Sequence, residues 1–361
     1  MLINSELVEL SVALGLAGRK TTRIESARIT EDKDKIKEYL KVISKISDRS
    51  EITVKENTLE FTPGSIRSGS FDIELKYNGI GEVIKHLLPV VGFSRGPMRI
   101  RFKGYTNSSH RNEPCVDVVK SVHCKISEEF GLVTDIRITK RSIFPSIDGE
   151  VLFLSEPLKS SLSPVKIDRR EELERIVCVN YSTRIGSDIL TRVTNTERDY
   201  LKKITPKIKV YNDIGNRTNS GATPGFGSVM LAYGKNSVYY SDSVSDGAAT
   251  DAEGAPEKRT EKLVREFLRT IRKSGAYDEK VQNFVLVLLA FTSEDASAVL
   301  VSRIDREGRE VLRLLESILK YTYTIEKHKK SKSEVDQGVS DSLYVVKSFG
   351  VGYSNIYRPT Q

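Results

Sequence analysis

The chain has 361 residues, and its 57 Lys+Arg against 49 Asp+Glu leave a net charge of +8, a balance that favours polyanionic partners, chiefly nucleic acid. A hydrophobic fraction of 38% over this length still supports a substantial core, in one large domain or two to three ordinary ones. Cys115, Cys124 and Cys178 are odd in number and lack CxxC spacing, which suggests neither a disulfide framework nor a zinc site and predicts a reducing, intracellular protein.

The N-terminus MLINSELVELSVALGLAG has no basic leader and carries Glu6 and Glu9, which argues against a signal peptide. In KDKIKEYLKVISKISD the residues Ile36, Tyr39, Leu40, Ile43 and Ile46 share one helical face, and EITVKENTLEFTPG reads as a hairpin about Asn57. A second unit follows: helix GEVIKHLLPVVG, strand MRIRFKG, helix DVVKSVHCKISEEFG, strand TDIRITKR and strand EVLFLS. A third has the apolar helix QNFVLVLLAF, strand VLVSRI, helix EVLRLLESILK and strands YTYTIEK and SLYVVKSFG. The order helix, strand, helix, strand, strand therefore recurs, which predicts repeated α/β units, each with two helices on one face of a small sheet. The longest apolar run, residues 284–291, is too short to cross a bilayer.

Between the second and third units lies a different stretch: strand IVCVNYSTR, helix SDILTRVTNTERDYLKK, strand KIKVYN, loop NRTNSGATPGFG, hairpin SVMLAYGKNSVYYSD and helix EKRTEKLVREFLRTIRK. It predicts a smaller α/β domain over 175–275, inserted into a repeat domain formed by 1–174 and 276–361. Residues 244–256 and 327–341 are expected to be mobile loops.

Candidate chemistry is sparse. His86, His110, His123 and His328 show no metal spacing; His86 and His123 fall on predicted helices and read as structural or surface residues, and no nucleophile is evident near His110. No GxSxG, Walker or dinucleotide motif is present. Arg99, Arg101 and Lys103 alternate along one strand, so with Arg95 and Arg141 they form a candidate RNA-binding face, the rival reading being a sheet edge protected by charge. Asn219, Gly221, Pro224, Gly225, Phe226 and Gly227 form a distinctive loop, read either as a contact for RNA or a partner protein or as a tightly specified turn whose glycines permit positive φ. The closing SFGVGYSN pairs Gly350 and Gly352 beside Ser354 and Asn355, open to reading as a phosphate cradle or as a plain turn, although no helix follows to strengthen the former.

Taken in order, VNYSTRIGSDILTRV, NSGATPGFG, KGYTN, RSIFPSIDGEV and GVGYSN make nearly the whole chain resemble the RNA 3′-terminal phosphate cyclase family, within it the cyclase-like branch of ribosome assembly. The resemblance implies a fold of repeated βα units, two helices on a four-stranded sheet, with a smaller inserted α/β domain. In the cyclases a histidine four residues before the closing Asn is adenylylated; Val351 stands there, and an isopropyl group has no lone pair with which to attack a nucleotide. Val8 replaces an expected Arg, Arg28 is retained without its Pro-Gly turn, Gln282 stands for an acid, and a triple glycine is reduced to Pro145 and Gly149. What the resemblance implies is a catalytically inert assembly factor of the small ribosomal subunit precursor, without cofactor or metal. It would reside in the nucleolus and bind pre-ribosomal RNA and a large GTPase. The alternatives are an endonuclease of precursor processing, which requires carboxylates distant in sequence to converge, a residual nucleotide-dependent cyclase, and a protein scaffold without RNA contact.

Overall fold

In the computed structural model, which describes residues 2–110, 113–205, 207–245 and 255–357, each repeat opens with a short strand that the sequence pattern did not disclose. The first repeat runs β1 (Leu2–Asn4), α1 (Val8–Ala17), β2 (Thr22–Glu25), α2 (Arg28–Glu31), α3 (Lys33–Ile46), β3 (Ser47–Asp48), β4 (Glu51–Lys55) and β5 (Thr58–Thr62). A small pairing of β3 with β6 (Ser65–Ile66) leads into the second repeat: β7 (Gly69–Glu74), α4 (Ile80–Val91), β8 (Met98–Gly104), α5 (Val116–Val118), α6 (Cys124–Glu129), β9 (Thr134–Lys140) and β10 (Gly149–Ser155). The third begins at β11 (Lys166–Ile167) and is then interrupted by β12 (Arg175–Thr183), α7 (Ser187–Leu201), β13 (Ile208–Gly215), β14 (Gly225–Tyr233), β15 (Val238–Ser245) and α8 (Pro256–Lys273). It resumes as α9 (Gln282–Ala290), β16 (Ala296–Ser302), α10 (Arg306–Leu314), β17 (Thr322–Lys327), α11 (Lys332–Asp336) and β18 (Leu343–Phe349).

Three four-stranded sheets share one topology, with orders β1-β2-β5-β4, β7-β8-β10-β9 and β11-β16-β18-β17. In each, the opening strand pairs parallel with the second, as in Leu2↔Arg23, Gly69↔Met98 and Lys166↔Ala298, and the other pairings are antiparallel. The opening strands escaped notice because β1 and β11 span three and two residues, too few for an alternating pattern to register. The first helix of each repeat (α1, α4, α9) is buried along most of its length, as its nearly uninterrupted apolar sequence requires, whereas α3 and α10 bury one stripe.

The fourth sheet has order β13-β12-β14-β15 and carries α7 and α8. Alternation along its strands divides it between two cores. Ile176, Cys178, Met230 and Ala232 pack with Leu263, Val264 and Phe267 of α8, while Tyr181, Val229 and Leu231 join the core of the repeats.

Most of the expected loop 244–256 lies outside the described residues, at 246–254. The segment 327–341 is not a featureless loop: it holds α11, capped reciprocally by Ser331 and Glu334, and His328 Nε2 lies 3.2 Å from the Glu334 carboxylate.

Candidate functional site

A cleft of about 490 Å³ opens where all three repeats meet. Its lining includes Glu6 and Glu9 of the first repeat, Glu82 and Glu113 of the second, and Asn283 and Glu307 of the third, with Arg28, Lys35, Lys85 and Lys280 among them. Six carboxylates therefore converge with four cations, from positions too widely spaced in the chain for any local motif to announce them.

The cations are largely neutralised from within. Arg28 grips Glu9 with both terminal nitrogens (3.0 Å each), reaches Asp32 through Nε (2.9 Å) and donates to the Glu6 carbonyl (2.7 Å). Burial works against the charged guanidinium, but Glu9 and Asp32 prevail and raise its pKa, so the fork is charged, with four of its five donors engaged. Lys35 pairs with Glu113 at 2.6 Å, and Glu113 also accepts from the Tyr105 hydroxyl at 2.9 Å. Lys85 pairs with Glu82 at 2.9 Å, and Lys280 lies 3.8 Å above the Tyr240 ring.

His86 and His123 stand in the walls, where burial drives each pKa down to about 3, so both rings are neutral and far from the range of a general base. Among the described residues, no group of three or more His, Cys, Asp or Glu side chains is arranged to hold a metal ion. His110 does have a hydroxyl beside it, contrary to the sequence reading, because Ser108 Oγ contacts its Nδ1. That same oxygen accepts the His110 amide at 3.0 Å, which makes the pair a local turn.

The closing segment is a packed turn. The amides of Val351 and Gly352 donate to the carbonyls of Ala290 (2.9 Å) and Thr292 (3.0 Å), so neither is free to cradle a phosphate. Asn355 is buried and its Nδ2 donates to the carbonyls of Gly92 (3.3 Å) and Ser94 (2.8 Å). Gly352 has φ +67°, and a Cβ on Gly350 would strike the Thr292 carbonyl oxygen at 2.1 Å. Val351 packs against the repeat core beyond the last residue of α9 and is not among the residues lining the cleft. Val8 is buried in α1, and Gln282 ties α9 to β16, accepting from Ser302 N (3.1 Å) and donating to Arg303 O (3.3 Å).

On β8, Arg99, Arg101 and Lys103 alternate outward over Met98, Ile100 and Phe102, but the face is less positive than the strand alone suggested. The neighbouring β7 sets Asp72 against Arg101 (2.6 Å) and Glu74 against Lys103 (3.9 Å), which leaves Arg99 without an ion pair among the described residues. Arg95 is exposed; it donates to Ser65 Oγ (2.8 Å) and lies over the Tyr357 ring at 5.2 Å.

Arg141 is not available to a phosphate. It is 5% exposed, bonds Asp117 through both terminal nitrogens (2.6 and 3.0 Å), reaches Asp213 (2.9 Å) and Asn107 (3.0 Å), and stacks on Tyr181 at 4.2 Å. The Gly-rich loop is held the same way, by Gly221 N to Arg141 O (2.7 Å), Ala222 N to Ser146 Oγ (3.0 Å) and Ser146 N to Thr223 Oγ1 (3.1 Å). Asn219 and Pro224 remain exposed, but Gly221, Gly225, Phe226 and Gly227 are buried, Phe226 under Leu190 and Val193 of α7. These glycines do not adopt positive φ. They are required by close approach, since a Cβ on Gly227 would meet Tyr181 Oη at 2.3 Å and one on Gly225 the Ser245 carbonyl at 2.4 Å.

Comparison with known proteins places this sequence in a family. The chain is 28% identical over 354 residues to the RNA 3′-terminal phosphate cyclase-like proteins of Homo sapiens and Bos taurus, covering 95% of this chain and 93% of each relative. It is 25% identical over 362 residues to the rRNA processing protein RCL1 of Saccharomyces cerevisiae, covering 97% of this chain and 95% of that one. A solved structure, the enolpyruvyl transferase NikO from Streptomyces tendae, overlaps 45% of this chain and 33% of its own at 13% identity and a TM-score of 0.26. The family model described as RNA 3′-terminal phosphate cyclase matches residues 6–325. The chain belongs to the RNA 3′-terminal phosphate cyclase family.

Proposed function

We propose that the protein is a non-catalytic factor of ribosomal RNA processing that binds pre-ribosomal RNA. Relatives in Saccharomyces cerevisiae and Schizosaccharomyces pombe are named rRNA processing proteins, and mammalian relatives are named cyclase-like. In the finer form of the proposal it acts in the nucleolus, on the small-subunit precursor and 18S-type maturation, together with a large assembly GTPase. Residues 175–275 form the inserted unit of a repeat domain built from 1–174 and 276–361. No helix of the described residues is long and apolar enough to cross a membrane.

The observation that carries the proposal is Val351. Adenylyl transfer to the protein requires a nucleophile, and this side chain has none. The pairing of Arg28 with Glu9 and Asp32 supports the same reading, because these two carboxylates and the Glu6 carbonyl already engage four of its five donors, leaving one Nη2–H for any phosphate. Incubation with ATP and an RNA ending in a 3′-phosphate is expected to leave the end uncyclised and the protein free of bound nucleotide. A 2′,3′-cyclic end would refute the proposal. Purification from cells at moderate salt is expected to bring down ribosomal RNA precursor together with the GTPase.

The convergence of carboxylates in the cleft favours a second reading, an RNA endonuclease. Against it stands the pairing of Glu9, Asp32, Glu82 and Glu113 with cations. Cleavage of precursor RNA by the purified protein that is lost in Glu9→Gln and Glu113→Gln would establish it.

A further inference from the structure

The strongest unclaimed feature outside the cleft is the solvent face of α3. Lys33, Lys37, Lys41 and Lys45 recur every fourth residue, so they lie in one row, with successive charges about 6 Å apart along the axis and the row about 18 Å long. All four are exposed, and none forms an ion pair among the described residues; Lys45 Nζ donates to the carbonyl of Asp72. The acids of the helix do little to balance them. Glu38 turns away to accept the amides of Lys76 (2.6 Å), Tyr77 (3.1 Å) and Asn78 (2.9 Å), which leaves Asp34 alone. Like charges at this spacing destabilise a helix, and Lys33 in the first turn also opposes the helix dipole.

Two concave surfaces flank the row. A groove of about 650 Å³ is lined by Lys37, Lys41, Ser44 and Lys45 over a floor of Leu40 and Ile52. Beyond the C-terminal end of α3 a hollow of about 690 Å³ is lined by Arg49 and Arg95 around Asp48. Arg67 joins the two, donating to the Lys45 carbonyl (3.4 Å) and lying 3.4 Å from Asp48. The band then reaches β8, since Asp72, which meets Lys45 through its carbonyl, meets Arg101 through its carboxylate.

We propose that this band, Lys33, Lys37, Lys41 and Lys45 continued by Arg49 and Arg95, binds the phosphate backbone of a structured RNA. The proposal rests on the reading of the protein as an RNA-binding factor and names the surface that does it. A row of exposed ammonium groups that advances about 6 Å along the helix and winds about 40° round it at each step suits the phosphate backbone of a folded strand. The groove lining holds no aromatic residue on which unpaired bases would stack, so recognition is by shape and charge.

The test is the affinity of the full chain for a hairpin RNA of about 16 base pairs, measured by fluorescence anisotropy over a range of salt. The comparison is with the variant carrying Lys33→Gln, Lys37→Gln, Lys41→Gln and Lys45→Gln. With about 0.7–0.9 of salt slope per phosphate contact, the variant should lose about 3 from the slope of log affinity against log salt and bind at least tenfold more weakly at moderate salt. The quadruple Lys→Arg variant should bind as the parent does, and unchanged circular dichroism certifies the fold of both. If the parent binds and the glutamine variant binds equally with the same slope, the band is a solvated face and this inference fails while the RNA-binding reading stands. If the parent binds no RNA, the reading itself fails. Poly-glutamate that displaces the hairpin at matched charge concentration would show a surface for acidic protein and overturn the assignment to RNA.

Discussion

Removing the Arg141 guanidinium should be among the most destabilising single changes available in this chain. Arg141→Met keeps much of the side-chain volume over Tyr181 but leaves Asp117, 6% exposed, with a buried carboxylate whose only remaining side-chain donor shown is Asn107 (3.2 Å). Burial alone would raise the Asp117 pKa; Arg141 overrides it and holds the carboxyl below its ordinary value. Breaking such a buried pair from one side costs about 3–5 kcal/mol, whereas Arg141→Met with Asp117→Leu removes both charges and should recover a large part of that loss. Urea unfolding of the parent, both single variants and the double variant supplies the cycle. The sign of the pH dependence is fixed as well. A depressed carboxyl contributes stability that is present above its unfolded pKa and lost as pH falls through the folded one, so the parent should lose this contribution on acidification and Arg141→Met should not. A single variant within about 1 kcal/mol of the parent, or a double variant no better than Arg141→Met, would refute the reasoning.

Three further outcomes follow from the packing. Gly227→Ala places a methyl against Tyr181 Oη and the Ser243 carbonyl, and should cost about 1–3 kcal/mol or more in denaturant unfolding; a neutral result would mean that the sheet relaxes there. Asn355→Ala deprives the Ser94 carbonyl of its donor, while the Gly92 carbonyl keeps the Leu158 amide, and should lower stability by about 1–3 kcal/mol, read as a lower melting temperature. Burial raises the Glu129 pKa to about 7, so as a raised acid it favours folding below its unfolded pKa and withdraws that contribution as pH rises through about 7. Glu129→Gln, still able to accept from the Tyr277 hydroxyl, should therefore gain melting temperature relative to the parent at pH 8 and little at pH 4; equal shifts at both would contradict the assignment.

The repeats were legible because their helices and hairpins carry strong local patterns. Ile36, Tyr39, Leu40, Ile43 and Ile46 mark the buried stripe of α3, and Asn57 sits in the turn between β4 and β5. The opening strands were not, since β1 and β11 are held by parallel pairing to distant strands instead of by their own composition. The cleft could not be read at all, because Glu9, Arg28, Glu113 and Glu307 meet only once three repeats are folded together. Arg141 was misplaced for a related reason. Its basic neighbourhood resembles a surface patch until β13 brings Asp213 and α5 brings Asp117 to it. The lysine row lay in plain view at a spacing of four, on the face opposite the apolar stripe that defined the helix.

The closure of the molecule has a consequence for how it is made. Ser5 Oγ and the amide of Glu6 both hold Glu310, at 2.6 and 2.8 Å across more than 300 positions, and Asn355 reaches back to the carbonyls at the end of α4. The third sheet is split likewise, with β11 waiting for β16 until the whole intervening domain has left the ribosome. A nascent chain that has emitted only its first two repeats can pack α1 on α4, but the contacts of its first residues with Glu310 form only when the last repeat arrives. Without Asn355 the Ser94 carbonyl loses the donor shown for it, so the last segment is needed for this contact. The contacts that join the first and last repeats are thus the last that folding can make.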